Sequence, residues 1–216
     1  MESRERIGEL RGHSLPLLSL HVGQSKLITT SKDGTARLWD LTTGLPLRVL
    51  TESGQSGELI ASRISPSGTL AIATSSTGTT TVWNADTGRS MASLAGHTSR
   101  VTAARFSPDE SLLVTASMDE TIQVWATKTW QLQATLQERH QGITALEFDL
   151  EGRSLLAGHQ DGTLTIYRRD VLIPAPQALR LAKTRISRQL TPYEQRRFGT
   201  GLPWLPRVFA FNGIPG

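Results

Sequence analysis

An aromatic residue returns along this chain at a nearly fixed interval. Trp39, Trp83, Trp125 and Tyr167 stand 44, 42 and 42 residues apart. The chain has 216 residues and only five tryptophans, so that spacing constrains the fold more than its overall composition does. The neighbours recur as well. Each aromatic closes a short β-type run: TARLW, TTTVW, TIQVW and TLTIY. Before each run lies a turn, at Lys32-Asp33-Gly34, Ser76-Thr77-Gly78, Met118-Asp119-Glu120 and Gln160-Asp161-Gly162. A second run precedes the turn: KLITTS, TLAIATS, SLLVTAS and SLLAGH. A third lies earlier still, ended in the middle repeats by Ser65-Pro66-Ser67-Gly68 and Ser107-Pro108-Asp109. After the first three aromatics, a polar turn leads to a fourth run, PLRVL, SMASL or QLQATL.

Four short strands per period is an all-β pattern. Proline cannot donate to a strand ladder, which suits its place in the earlier turn. Asp-Gly predicts a tight hairpin with positive φ at both central residues. Four antiparallel strands recurring every 40–45 residues or so is the signature of a β-propeller blade. The expected architecture is therefore a propeller segment of four four-stranded antiparallel blades, at approximately 7–50, 51–94, 95–136 and 137–169. A basic tail follows over residues 170–216.

The recurring residues resemble the WD-repeat propeller family. Its marks are Gly-His opening a repeat and Trp-Asp closing it. Here they stand as Gly12-His13 with Trp39-Asp40, and as Gly96-His97 with Trp125-Ala126. The fourth repeat has Arg139-His140 and Tyr167-Arg168. The second has Trp83-Asn84, with Ser56-Gly57 near the place of Gly-His. The resemblance spans roughly residues 7–169. It implies a buried hydrogen-bond network in each blade. His13, Thr29, Asp33 and Trp39 would form it in the first repeat, and His97, Thr115, Asp119 and Trp125 in the third. The fourth keeps His140, Asp161 and Tyr167 but has Ala157 at the hydroxyl position. The second has Ala73 and Thr77 at the hydroxyl and acid positions. In such a network the carboxylate anchors the turn and the imidazole, and the hydroxyl links imidazole to indole. Each buried polar group would then have a partner. The resemblance also implies loop faces that dock protein partners. Lys32, Arg100, Met118 and Gln160 are the candidate contacts there.

A Thr–His–Asp trio also invites a catalytic reading. The trio occurs twice, however, and a catalytic set would leave Trp39 and Trp125 unexplained. The other histidines, His21 and His159, lie in no metal-ligand spacing, and no glycine-rich phosphate loop is present. There is no cysteine to supply a disulfide, thiolate site or nucleophile. The expectation is a non-enzyme with no catalytic residue, metal or cofactor.

The net charge of +4 is unevenly spread. Residues 170–216 hold seven Lys/Arg against two Asp/Glu, while the rest is near neutral. Leu179, Ala182, Ile186 and Leu190 recur at helical spacing, with Arg180, Lys183, Arg185 and Arg188 on the other positions. Thr191, Pro192 and Glu194 read as the capped start of a second helix, ended by Gly199. A basic amphipathic helix suits docking on the propeller. Contact with acidic lipid or nucleic acid through those four cations is a lesser alternative. The stretch AKTRISRQLTPYE also resembles a segment that follows the last repeat of large bacterial signalling proteins. Ala182, Arg188, Leu190, Thr191 and Glu194 fit that segment; Lys183 and Gln189 replace a cysteine and an asparagine. Such relatives carry an ATPase or kinase domain ahead of the repeats, which makes a regulatory or sensor module the alternative reading.

No apolar core of a signal peptide lies at the N-terminus and no run is long enough to span a membrane, so the expected location is the cytoplasm. A seven-bladed ring would need about 280–315 residues, and residues 7–169 fall well short. RERIGEL reads as a fourth strand whose companions are missing. It would close the last blade, or a second chain would complete the ring, or the chain is one end of a longer protein. The favoured reading is an incomplete arc that presents interaction faces and is able to self-associate.

Overall fold

The computed structural model describes residues 9–51, 57–138, 140 and 142–172. The chain divides into two units, Met1–Pro174 and Ala175–Gly216. The expected tail helices and Arg180, Lys183, Arg185 and Arg188 lie outside the described residues, as does most of RERIGEL. Its last two residues, Glu9 and Leu10, are in no strand.

The β-type runs of each repeat form one antiparallel sheet. Sheet 1 holds β1 (Leu17–Gly23), β2 (Lys26–Ser31), β3 (Ala36–Asp40) and β4 (Pro46–Leu50), paired in that order. Sheet 2 holds β5 (Leu59–Ile64), β6 (Leu70–Ser75), β7 (Thr79–Asn84) and β8 (Ser90–Ala95). Sheet 3 holds β9 (Val101–Phe106), β10 (Leu112–Ser117), β11 (Thr121–Ala126) and β12 (Gln131–Gln137). Sheet 4 has three strands, β13 (Ile143–Phe148), β14 (Ser154–His159) and β15 (Leu164–Arg168). Four four-stranded blades were expected; among the described residues the fourth shows three strands. After β15 the chain enters a 3-10 turn, Arg169–Leu172, instead of a hairpin. Buried Leu172 and the Arg169–Asp109 ion pair hold that turn against the body.

Register decides which residues meet. Leu27 pairs with Trp39 and Ile28 with Leu38, so one face of sheet 1 carries Leu27, Thr29 and Trp39. We call that the front and the Ile28–Leu38 side the back. The back of sheet 1 shares a buried cluster with Ala71, Ala73 and Trp83 on the front of sheet 2. Ile72 and Val82 on the back of sheet 2 join Leu113 and Trp125. Val114 and Val124 join Leu155 and Ala157, with Tyr167 packed alongside. Each junction is therefore back against front. Strands covered on both faces lose their polar alternation, which is why all six residues of β10 are buried. The outer strands β4, β8 and β12 are mostly exposed.

The inner strands run in sequence along the stack, β1 beside β5, β5 beside β9 and β9 beside β13. No comparable packing joins β13 to β1 among the described residues. Among the described residues, nothing covers two apolar faces. Leu20 and Val22 on the front of sheet 1 are 62% and 49% exposed, and Leu164 and Ile166 on the back of sheet 4 are 61% and 63% exposed.

The hairpin expectation needs correction. The link from β2 to β3 is four residues long, and only Gly34 in it has positive φ, at 80°. Gly78, Glu120 and Gly162 repeat that left-handed residue in register. The carboxylate of Asp33 points into the turn and accepts the Thr35 amide at 2.9 Å. Asp33 thus shapes the loop by hydrogen bonding, with no positive φ of its own.

Candidate functional site

The first and third repeats assemble the expected networks. Trp39 Nε1–H donates to Thr29 Oγ1 at 2.8 Å. Thr29 stands 2.9 Å from His13 Nε2, and His13 Nδ1 stands 2.9 Å from Asp33 Oδ2. In the third repeat Trp125 reaches Thr115 at 3.1 Å, Thr115 lies 2.9 Å from His97 Nε2, and His97 Nδ1 lies 3.0 Å from Asp119. Only one proton arrangement serves every member. The indole donates to the hydroxyl, the hydroxyl donates to Nε2, and Nδ1–H donates to the carboxylate. Each carboxylate also accepts a backbone amide from beside the histidine, Ser14 at 3.0 Å or Thr98 at 2.9 Å.

Electrostatics follows the same geometry. Burial pushes the Asp33 carboxyl up. The Thr35 hydroxyl and amide, His13 and the Ser14 amide outweigh it and hold the carboxyl well below the usual range. Asp119 is likewise pushed up by burial and lowered on balance by Thr121, Thr98 and His97. Burial lowers His97 by more than Asp119 raises it, in keeping with a neutral ring that accepts from Thr115. The Thr35, Thr121 and Thr163 hydroxyls all bind the carboxylate two residues before them. The Asp-x-Thr spacing at Asp33, Asp119 and Asp161 is the signal in the sequence for these three bonds.

The other two repeats differ. His140 Nδ1 meets Asp161 at 2.9 Å. With Ala157 in place of threonine the chain of bonds stops at His140. A second pair takes over nearby, His159 Nε2 lying 2.9 Å from Thr165 Oγ1. Tyr167 joins the apolar junction and not the polar network. In the second repeat Ser75 binds Thr77 and Thr79 where the carboxylate would be, at 2.9 and 2.8 Å. Trp83 Nε1 is buried with no partner. The second repeat was expected to lack the network, and with Ala73 offering no acceptor its indole is left without the hydroxyl that serves Trp39 and Trp125.

Three of the four loop candidates converge. Gln160 Nε2 lies 3.8 Å from Met118 Sδ, and the Met118 amide donates to the Arg100 carbonyl at 3.0 Å. Lys32 sits at the equivalent place on sheet 1, 3.7 Å from Glu58. Arg100, Gln160 and Lys32 are exposed, and Met118 is half-buried. Among the described residues no three His, Cys, Asp or Glu side chains are grouped to hold a metal. No helix among them is long and apolar enough to cross a membrane.

Comparison with known proteins fits this geometry. The family model described as "WD domain, G-beta repeat" matches residues 4–40, 88–126 and 130–168, together more than half of the chain. The chain belongs to the WD40-repeat family. The stretch that the WD40 model passes over, residues 41–87, contains the Ala73 and Thr77 departures. No curated protein matches the chain. Among solved structures, the computationally designed Ika4 protein is 29% identical with a TM-score of 0.68, over 77% of this chain and 99% of that one. The computationally designed Ika8 protein is 30% identical with a TM-score of 0.65, over 74% of this chain and 48% of that one. The matched part of this chain therefore covers nearly all of one designed chain and about half of the other.

Proposed function

We propose that the chain is a non-catalytic protein-interaction scaffold, and that its partner docks on the loop rim at Arg100, Met118 and Gln160, with Lys32 further along. WD40 repeats generally mediate protein–protein interaction, and the family is typically non-enzymatic. The observation that carries the reading is the rim contact between neighbouring repeats, in which the Gln160 side-chain amide reaches the Met118 thioether and the Met118 backbone pairs with that of exposed Arg100. The Thr–His–Asp sets then hold the turns that present this rim. A photo-crosslinker at Met118 tests the idea in cell extract, with Lys128, in the β11–β12 turn, as the control position. A discrete adduct formed from position 118 and absent from 128 is the expected result. Equal labelling from both would overturn the assignment.

A second reading concerns self-association. The two uncovered faces, the front of sheet 1 and the back of sheet 4, are of the same kinds that bury one another at all three internal junctions. Leu164 and Ile166 stand 42 residues after Ile122 and Val124, which are fully buried. We propose that a second copy covers them, sheet 4 of each chain meeting sheet 1 of the other. Full burial of such a side chain contributes about 1.5–3 kcal/mol, set against the ordering cost of association. Light scattering on a sizing column should give a dimer mass; a monomer across all concentrations would sink the idea.

A further inference from the structure

The inner strands carry a repeat of their own. His21 on β1, Arg63 on β5, Arg105 on β9 and Glu147 on β13 follow one another at intervals of 42 residues. All four border one cavity of 360 Å³, with Pro66 and Phe106 beside them. Arg105 donates from Nε to Glu147 Oε2 and from Nη1 to the Ala104 carbonyl, both at 2.9 Å. Arg63 repeats the second bond, Nη1 to the Ser62 carbonyl at 2.7 Å. The residue standing to Arg63 as Glu147 stands to Arg105 is Arg105 itself. Arg63 thus faces a like charge where its counterpart faces a carboxylate, and it has no ion pair among the described residues. Burial, followed by the Arg105 charge and opposed by Glu147, lowers Arg63 to about 10.

His21 adds a donor. Its Nδ1 accepts the Ile64 amide at 3.1 Å. Burial, then the charges of Arg63 and Arg105, push its pKa down to about 4 against the pull of Glu147. The ring is neutral at pH 7, so its proton sits on Nε2, which has no acceptor among the described residues.

We propose that this cavity binds a carboxylate from an acidic peptide, received by the open edge of Arg63 and by His21 Nε2–H. Glu147 on Arg105 already shows a carboxylate seated on the equivalent guanidinium edge. Its negative charge also favours a single-charged guest over a phosphate dianion. At about 30 Å³ per water the space holds roughly a dozen waters, ample for a glutamate side chain. This site lies apart from the loop rim and does not depend on the rim as a docking face.

The test uses the full chain and a fluorescent pentapeptide of alternating glycine and glutamate, followed by anisotropy. The glutamine version of the peptide should bind at least about tenfold more weakly, and Arg63→Gln should cost about tenfold, the usual loss for one charge-assisted contact. Glu147→Gln should tighten binding by freeing Arg105. Glu151→Gln makes the same change in net charge away from the cavity and should do nothing. Equal binding of the two peptides, an unaffected Arg63→Gln, or equal effects of Glu147→Gln and Glu151→Gln would each overturn the proposal. So would saturable binding of inorganic phosphate without binding of the glutamate peptide. If Arg63→Gln does not fold, the paired glutamate variants decide.

Discussion

One hydroxyl serves two partners in each complete repeat. Thr115 Oγ1 accepts from Trp125 and donates to His97, and all three side chains are buried. Thr115→Val keeps the shape and strands both neighbours. The expected loss is about 2–6 kcal/mol, twice the usual cost of one unsatisfied buried group, measured by urea unfolding. The second repeat offers the converse. Ala73→Thr supplies the acceptor that Trp83 Nε1 lacks, and Ala73→Val adds the same volume without it. The threonine variant should be the more stable of the two by about 1 kcal/mol, the net worth of one hydrogen bond. Acid should act on the same groups. His21 and His97 titrate lower in the folded chain than the free value of about 6.5, so the unfolded chain takes up their protons first. Stability from these rings is fully present above about pH 6.5 and falls on acidification, for His21 until about pH 4. Asp33 and Asp119 are depressed, so their contribution holds above the ordinary carboxylate range and is lost below it. Urea midpoints should therefore fall continuously from pH 7 to pH 3; a flat profile between pH 7 and 5 would contradict the histidine part. The complete networks could be read from residue identity and interval alone. The unsatisfied indole could not, because a missing threonine does not reveal whether another group has taken its place.

At the level of elements, turn conformation obeys the repeat more strictly than residue identity does. The third residue of the β2–β3 type link is left-handed in all four repeats, at φ 80°, 94°, 66° and 83°. Glycine fills three of these positions and Glu120 the other. A left-handed conformation strains any residue with a Cβ, whereas glycine loses more chain entropy on folding. Glu120→Gly should give a net gain of about 0.5 kcal/mol or a little more, read from thermal unfolding. The strands themselves were legible because Pro-Ser and Asp-Gly punctuation brackets runs of five to seven residues. The loop geometry was less so. Asp-Gly pointed to a two-residue hairpin, and the carboxylate instead builds a longer loop by accepting amides within it. Nor did the sequence show where the chain goes after β15, since the 3-10 turn is held by the long-range pairing of Arg169 with Asp109.

For the molecule as a whole, the sheets stack through one repeated contact, back to front. The interval of 42 residues made the number of sheets legible, and the matching back-face positions Ile72, Val114 and Leu156, buried in the two middle sheets and only half-buried at the end of the stack, could be aligned from it. What closes the ends could not be aligned, because the sequence holds no further repeat to compare. If a second copy covers the ends, Ile166→Lys places a charge in that contact while leaving the three internal junctions intact. It should convert a dimer to a folded monomer with an unchanged circular dichroism spectrum, and a dimer that persists would place the contact elsewhere.

The uniform junction also has a consequence for ancestry. Residues 85–126 run between equivalent points of two neighbouring repeats. Excising them, or copying them in tandem, leaves every surviving sheet beside a neighbour of the same kind. A lineage can therefore lengthen or shorten this protein by recombination without inventing a new contact. Copy number becomes an inherited trait, with the interior chemistry carried along unchanged.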